Sequence, residues 1–275
     1  MKFRQGFNLV IGSAIISAAT VSSNVYAQSA FAGFYGQVST GYESNQLGSV
    51  NGNYREKPNV NSDTDVSASS QNFGGAPLVL GVGYYWQASE KWLIGLGADY
   101  SALTQSSSTF PINIANTVGN SAIPANTVDV QNGTSMQLSN RFNLFLTPAY
   151  AIDKDKLVYM KAGYSQVTAQ YNRNSSVTKT ANGVSTTTPA TGGNQSSNQG
   201  GYLIGLGYKQ IITGGLYGFA EGNYMSYSAP SYTFNAQGKA INVAHNITST
   251  GVRTGTMNFS SLNTYQLLVG LGYAF

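Results

Sequence analysis

The chain has 275 residues, 41% of them hydrophobic and only 9% charged, far below the roughly one quarter charged in ordinary soluble domains. Fourteen lysines and arginines against 10 acids give +4, and the balance is nearer +2 once Lys2 and Arg4 of a removable leader are set aside, which excludes a strongly basic nucleic-acid binder. The absence of cysteine excludes disulfides, thiolate nucleophiles and cysteine–zinc sites, and one histidine, His245, leaves no cluster for metal binding or acid–base work.

The first 27 residues read as a secretory signal. Lys2 and Arg4 form a positive start, Phe7–Ala19 an apolar core, and Val25-Tyr26-Ala27 a peptidase site, so cleavage is expected after Ala27. The apolar run is shorter than the ~20 residues of a bilayer-spanning helix. The expectation is an exported protein in which residues 28–275 form one domain.

Eight segments with period-two alternation follow: Phe34–Glu43, Leu78–Gln87, Lys91–Leu103, Met136–Ile152, Leu157–Gln170, Gly201–Gln210, Leu216–Tyr227 and Tyr265–Phe275. Strict alternation marks strands with two different faces. Most reach the ~9–11 residues of a tilted membrane-crossing strand. Short turns at Ala88–Glu90, Asp153–Lys156 and Ile211–Gly215 alternate with four polar stretches of about 30 residues, Ser44–Gly74, Thr104–Thr134, Tyr171–Gln199 and Ser228–Ser260. Such stretches are rare in soluble domains and are expected here as mobile loops, because their Asn, Ser, Thr and Gly cannot bury a core. A soluble sandwich or lipocalin-like barrel would expose charges that this chain lacks. The reading is all-β: an eight-stranded antiparallel transmembrane up-and-down β-barrel with four long extracellular loops.

Aromatics on the apolar faces fall at the strand ends. Phe34, Tyr84, Trp86, Trp92, Tyr150, Tyr208, Tyr273 and Phe275 lie toward the short turns, and Tyr42, Tyr100, Tyr164, Tyr202, Tyr224 and Tyr265 toward the long loops. Two such girdles suit the two membrane–water interfaces. Repeated glycine pairs (Leu80–Tyr84, Ile94–Gly97, Ile204–Tyr208, Val269–Tyr273) sit inside strands with no helix after them, so a nucleotide loop is not implied. They are expected to make room for larger inward neighbours in a narrow lumen. Parity turns six charges inward: Glu43, Asp99, Arg141, Lys161, Lys209 and Glu221. Lipid-facing Lys or Arg costs ~2–4 kcal/mol at mid-membrane, so a lumenal ion-pair network is expected. In the seventh segment Tyr217 and Phe219 share a face with Glu221, so either they point inward or a bulge breaks the register.

The ending Leu267–Phe275 (LLVGLGYAF) resembles the C-terminal signal strand of Gram-negative outer-membrane proteins, and Phe34–Tyr42 is similar to the first strand of small OmpA-like and opacity-type barrels. The resemblance implies an outer-membrane location, with surrounding lipids and lipopolysaccharide as neighbours. It also implies that Tyr273 and Phe275 are read by the barrel assembly machinery, and that Lys161 and Glu221 meet in the lumen. No peptidoglycan-binding domain is expected, since the sequence ends at Phe275.

Three functions compete. The first is a non-enzymatic surface barrel serving membrane integrity, adhesion or contact with host or environmental ligands through its loops; the second is a small porin-like diffusion channel; the third is a lipid- or protein-modifying barrel enzyme. No strand-end Ser/His/Asp set can be named for the third, and a nucleophile without its base is not a site. The narrow lumen of eight strands disfavours the second. The first is the expectation, with no cofactor and no nucleic acid.

Overall fold

The computed structural model describes residues 29–57, 63–116, 127–181, 184–190, 194–242 and 247–275. The expected leader, its cleavage point and His245 lie outside the described residues. The strands, in chain order, are β1 (Gly33–Leu47), β2 (Val50–Lys57), β3 (Asp63–Ala68), β4 (Gln71–Gly75), β5 (Leu78–Gln87), β6 (Trp92–Ser101), β7 (Gln105–Ser106), β8 (Phe110–Asn116), β9 (Thr127–Asp153), β10 (Lys156–Ala181), β11 (Val184–Ala190), β12 (Gln195–Thr213), β13 (Leu216–Tyr227), β14 (Ser231–Asn242), β15 (Ile247–Phe259) and β16 (Leu262–Ala274). Every pairing among them is antiparallel.

Eight strands pair in a circuit that returns to its start: β1 with β5, β5 with β6, β6 with β9, β9 with β10, β10 with β12, β12 with β13, β13 with β16, and β16 with β1. These eight correspond to the eight alternating segments. Leu78–Gln87 and Leu216–Tyr227 have the expected bounds, whereas β9 and β10 run to 27 and 26 residues. A closed ring leaves no strand edge inside the circuit.

The outward face of the ring is apolar through its middle. Val82, Leu206 and Leu267 are 63%, 65% and 66% exposed. The inward glycines take the place of side chains that would collide with large neighbours. A Cβ on Gly95 would lie 2.7 Å from Tyr85 Cε1, and one on Gly270 2.6 Å from Phe219 Cε1. Cβ atoms on Gly207 and Gly272 would strike the rings of Tyr159 and Tyr217. The rings thus occupy volume that glycine leaves free. Tyr217 and Phe219 are buried on the inward face with Glu221, and the β12–β13 register shifts only between Ile211 and Thr213, beside the turn.

The long polar stretches differ from the expectation of structureless loops. They contribute β2, β3, β4, β7, β8, β11, β14 and β15, and they lengthen β9, β10 and β12. From β9 the sheet continues through β8, β3, β2 and β15 to β14, forming a second tier beyond the ring. The physical reason lies in spacing. Each stretch carries only a few apolar residues, but at alternate positions, so Phe110 and Ile112, Met257 and Phe259, and Val50, Ala68 and Tyr232 all reach one interior, where they meet Met136, Leu138, Val167, Ala169 and Tyr171. Asn, Ser and Thr then face out, as in Ser231 bonded to Asn258 and Thr256 bonded to Asn53.

Sidedness therefore reverses along the strands: apolar outside in the ring, apolar inside in the second tier. On β9 the inward residues are Arg141, Asn143 and Phe145 below and Met136 and Leu138 above, a change of parity. Asn140 makes the change. It adopts φ 51°, and the β9–β10 register skips between Gln166 and Thr168. Asparagine tolerates this left-handed conformation better than most residues, and a bulge of this kind adds one residue to one strand. Tyr100, at the outward boundary, donates to Asn140 Oδ1 at 3.0 Å.

Candidate functional site

The interior of the ring is stacked in layers. All six charges expected inside, Glu43, Asp99, Arg141, Lys161, Lys209 and Glu221, are buried there. They form two ion-pair groups and one cation apart.

The upper group is Glu43 on β1 with Arg141 on β9, in direct ionic contact. The guanidinium also donates to Tyr227 OH (3.0 Å), Asn45 Oδ1 (3.2 Å) and Thr264 Oγ1 (3.3 Å). Glu43 accepts from Asn45 Nδ2 at 2.9 Å and Gln266 Nε2 at 2.8 Å. A buried charge is tolerated when paired and hydrogen-bonded, and both ions meet that condition.

The lower group has three members. Lys161 Nζ lies 3.0 Å from Asp99 Oδ2 and 2.8 Å from Glu221 Oε1. Asn143 donates to Asp99, while Tyr159 (2.6 Å) and Asn223 (2.7 Å) donate to Glu221. Lys161 also stands 4.0 Å from the centre of the Phe145 ring. The expected Lys161–Glu221 contact is present, but it is two-thirds of a triad, because Asp99 shares the same ammonium.

Lys209 makes no carboxylate ion pair among the described residues. Its ammonium lies 4.0 Å from the Tyr35 ring centre, 4.9 Å from Tyr217, 5.1 Å from Tyr85 and 5.2 Å from Tyr159. It donates to Gln37 Oε1 at 3.2 Å. Ring faces attract cations, and the inward glycines beside those rings are what let them crowd one ammonium. The sequence located Lys209 by parity, but the aromatic box carries no motif; its trace is the pairing of inward glycine with inward tyrosine on adjacent strands.

Apolar layers close both ends of the stack. At the short-turn end Phe31, Leu93, Ala151, Leu157 and Tyr217 are buried together. At the other end the interior of the second tier covers Arg141. Burial raises the Tyr171 and Tyr232 hydroxyls there above their usual range. Outside, at the turn between β9 and β10, the hydrogen bond from Lys156 holds the Asp153 carboxyl below its usual range. Chemically five of the six buried charges are spent on one another, and Lys209 on Gln37 and the aromatic rings. Ser165 Oγ lies 2.7 Å from Tyr227 OH, which faces the Arg141 guanidinium, and neither partner is a base. No group of three His, Cys, Asp or Glu able to hold a metal occurs among the described residues.

Tyr273 and Phe275, the expected assembly signal, are outward and exposed, with ring centres 5.1 Å apart. Phe275 N donates to Phe34 O at 2.9 Å, tying the last residue to the first ring strand.

No family model matches the chain, and no curated protein does. Among solved structures the chain is similar to Ail, the attachment invasion locus protein of Yersinia pestis, solved with the heparin analogue sucrose octasulfate, at 11% identity over 88% of this chain and 99% of that one, TM-score 0.34. It is similar to the outer membrane protease OmpT of Escherichia coli at 9% identity over 92% and 100% of the two chains, TM-score 0.39. The outer membrane protein OprG of Pseudomonas aeruginosa gives 12% identity over 89% and 96%, TM-score 0.40. At those identities and TM-scores no activity passes from them to this chain, and its architecture rests on its own strand pairing.

Proposed function

We propose that this chain is an exported, integral outer-membrane protein with a structural and surface-interaction role and no enzymatic activity. In this reading residues 1–27 are removed, and residues 28–275 form an eight-stranded transmembrane barrel. The short turns face the periplasm, and the second tier stands outside the cell. Its neighbours are outer-membrane lipids and lipopolysaccharide, its assembly runs through the barrel assembly machinery reading Tyr273 and Phe275, and ligands on host or environmental surfaces meet the second tier.

One observation carries the reading: a closed sheet whose outward aliphatics are bordered by two rings of outward aromatics. Phe34, Trp86, Trp92, Tyr273 and Phe275 are exposed at one rim and Tyr42, Tyr100, Tyr164, Tyr202 and Tyr265 at the other, with Val38, Leu80, Val82, Ile94, Leu96, Leu144, Leu146, Ile204, Leu206, Leu267 and Val269 exposed between them. Monomeric soluble proteins rarely expose apolar patches beyond a few hundred Å², and a belt running round the whole ring is suited to hydrocarbon. The reversal of sidedness above the second rim puts polar residues outward where water returns. The filled lumen supports a barrel that does not conduct.

The chain has two tryptophans, Trp86 and Trp92, both at the short-turn rim, so their fluorescence tests the depth. Refolded into vesicles, the protein should be quenched most by lipids brominated near the headgroup and least by lipids brominated at the chain ends. Absence of quenching by every brominated lipid overturns the membrane reading. Steady single-channel conductance in a planar bilayer overturns the closed lumen and favours the diffusion channel.

A further inference from the structure

The floor of the lumen is not built from ring strands alone. Ser29–Ala32 precedes β1 and folds back under the short-turn mouth, where Phe31 is 1% exposed and meets the Tyr217 ring edge-on at 5.9 Å. Among the described residues the segment has one hydrogen bond to the ring. Ala32 N donates to Ser29 O at 3.0 Å, and Ser29 N donates to Gln87 Oε1 at 3.2 Å. It joins the ring through Gly33, whose φ is +123°, and a Cβ there would lie 2.9 Å from Phe275 O. A positive φ of this kind is strained for residues with a side chain. Above Phe31 stand the rings of Tyr217, Tyr35, Tyr85, Tyr159 and Phe219, and among them the buried Lys209 ammonium, which has no carboxylate ion pair among the described residues.

We propose that Ser29–Ala32 is a releasable plug: Phe31 seats in an aromatic-lined socket at the short-turn mouth, and the segment swings about Gly33 to uncover the chamber around Lys209. Three features support it. Among the described residues the seal is one aromatic side chain rather than a ladder of backbone bonds: the Ala32–Ser29 bond stays within the segment, so leaving costs one buried ring and the Ser29–Gln87 hydrogen bond. Every other floor residue belongs to a ring strand or its turn and cannot leave without breaking the circuit. The hinge is the one residue type that accepts the required backbone turn. The plug rests on the closed ring and its short-turn mouth, not on the membrane assignment, so the two are tested separately.

Lys209 reports the state of the socket. The folded full chain in detergent micelles is exposed to a small water-soluble amine-acylating reagent, and modified lysines are identified by mass spectrometry of its peptides. Exposed Lys91 and Lys154 calibrate the reagent, and the heat-dependent gel shift of the folded ring is followed in every sample. In the unaltered protein Lys209 should be acylated at least a hundredfold more slowly than Lys91. Phe31→Ala should accelerate acylation of Lys209 at least tenfold with the gel shift intact, and Gly33→Val, which disturbs the hinge and presses on the Phe275 carbonyl, should do the same in the fraction that keeps the gel shift. Phe31→Tyr should keep Lys209 protected. If Lys209 stays as slow in Phe31→Ala and Gly33→Val as in the unaltered protein, or reacts in the unaltered protein at the rate of Lys91, the plug is refuted. Loss of the gel shift in the unaltered protein would instead overturn the closed ring beneath both readings.

Discussion

Replacing Lys161 by methionine should be the most damaging single change among the lumenal charges. Its ammonium serves two carboxylates at once, Asp99 at 3.0 Å and Glu221 at 2.8 Å, and all three side chains are nearly inaccessible to water. Removing one member of a buried pair leaves an uncompensated charge and costs about 3–5 kcal/mol. Lys161→Met strands two anions, so the loss should reach the top of that range, ~5 kcal/mol, softened by the donors Asn143, Tyr159 and Asn223 that stay in place. Glu221→Gln is milder. Lys161 keeps Asp99, and the loss is that of charge-assisted hydrogen bonds, roughly 1–3 kcal/mol. The triple change Asp99→Asn, Lys161→Met, Glu221→Gln removes all the charge and should recover most of what Lys161→Met loses. Equilibrium urea unfolding in vesicles, followed by tryptophan emission and by the gel shift, gives the four free energies. The triad is refuted if Lys161→Met costs no more than Glu221→Gln, or if the triple variant is the least stable of all.

Gly207→Val should prevent folding or cost several kcal/mol, since the new side chain meets the Tyr159 ring, whereas Gly207→Val combined with Tyr159→Ala should refold; gel-shift yield after refolding distinguishes them. Deleting Phe275 should lower the amount of folded protein in outer membranes severalfold while leaving refolding in detergent nearly unchanged, because its backbone adds one hydrogen bond to Phe34 and its ring faces out. Replacing the second tier with short turns should abolish any adhesion or receptor phenotype. The trimmed ring should refold in good yield only when Leu47, Met136, Leu138, Val167 and Ala169, which would lose their cover, are changed to polar residues; circular dichroism and the gel shift measure that.

The ring was legible because its signal is redundant. Eight segments alternate, and the inward set, whether Glu221 beside Tyr217 and Phe219 or Gln266 beside Gly270 and Gly272, follows from parity once one residue is placed. Even the seventh segment, where parity put large aromatics on the same side as a carboxylate, needed no bulge: glycines on its neighbours supply the room. The second tier was not legible by the same means. Phe110, Ile112 and Ile114, or Met257 and Phe259, are a few apolar residues in mostly polar stretches, and each set gains a core only from strands far away in sequence. The parity break at Asn140 does leave a mark, since it interrupts the even-numbered apolar series Met136, Leu138, Phe142 and Leu144. The triad was half visible. Parity supplied Asp99, Lys161 and Glu221, but the stagger between strands, which decides that Asp99 and Glu221 reach the same ammonium, depends on pairing registers that periodicity leaves open.

In the membrane orientation proposed above, the Asn140 bulge and the reversal of sidedness it accompanies would act as a depth stop. β9 and β10 run through both tiers, so the two coatings belong to one continuous sheet. Sliding it inward by two residues, ~7 Å along a strand, would drag the outward Gln137, Ser139 and Thr168 into hydrocarbon, and sliding it outward would lift Phe142 and Leu144 into water. Neither shift leaves a compensating face. On that proposal, the height of the second tier above the lipid would be set by the chain's own chemistry rather than by a flexible stalk. A ligand bound to the second tier would then be held at a fixed standoff from the membrane.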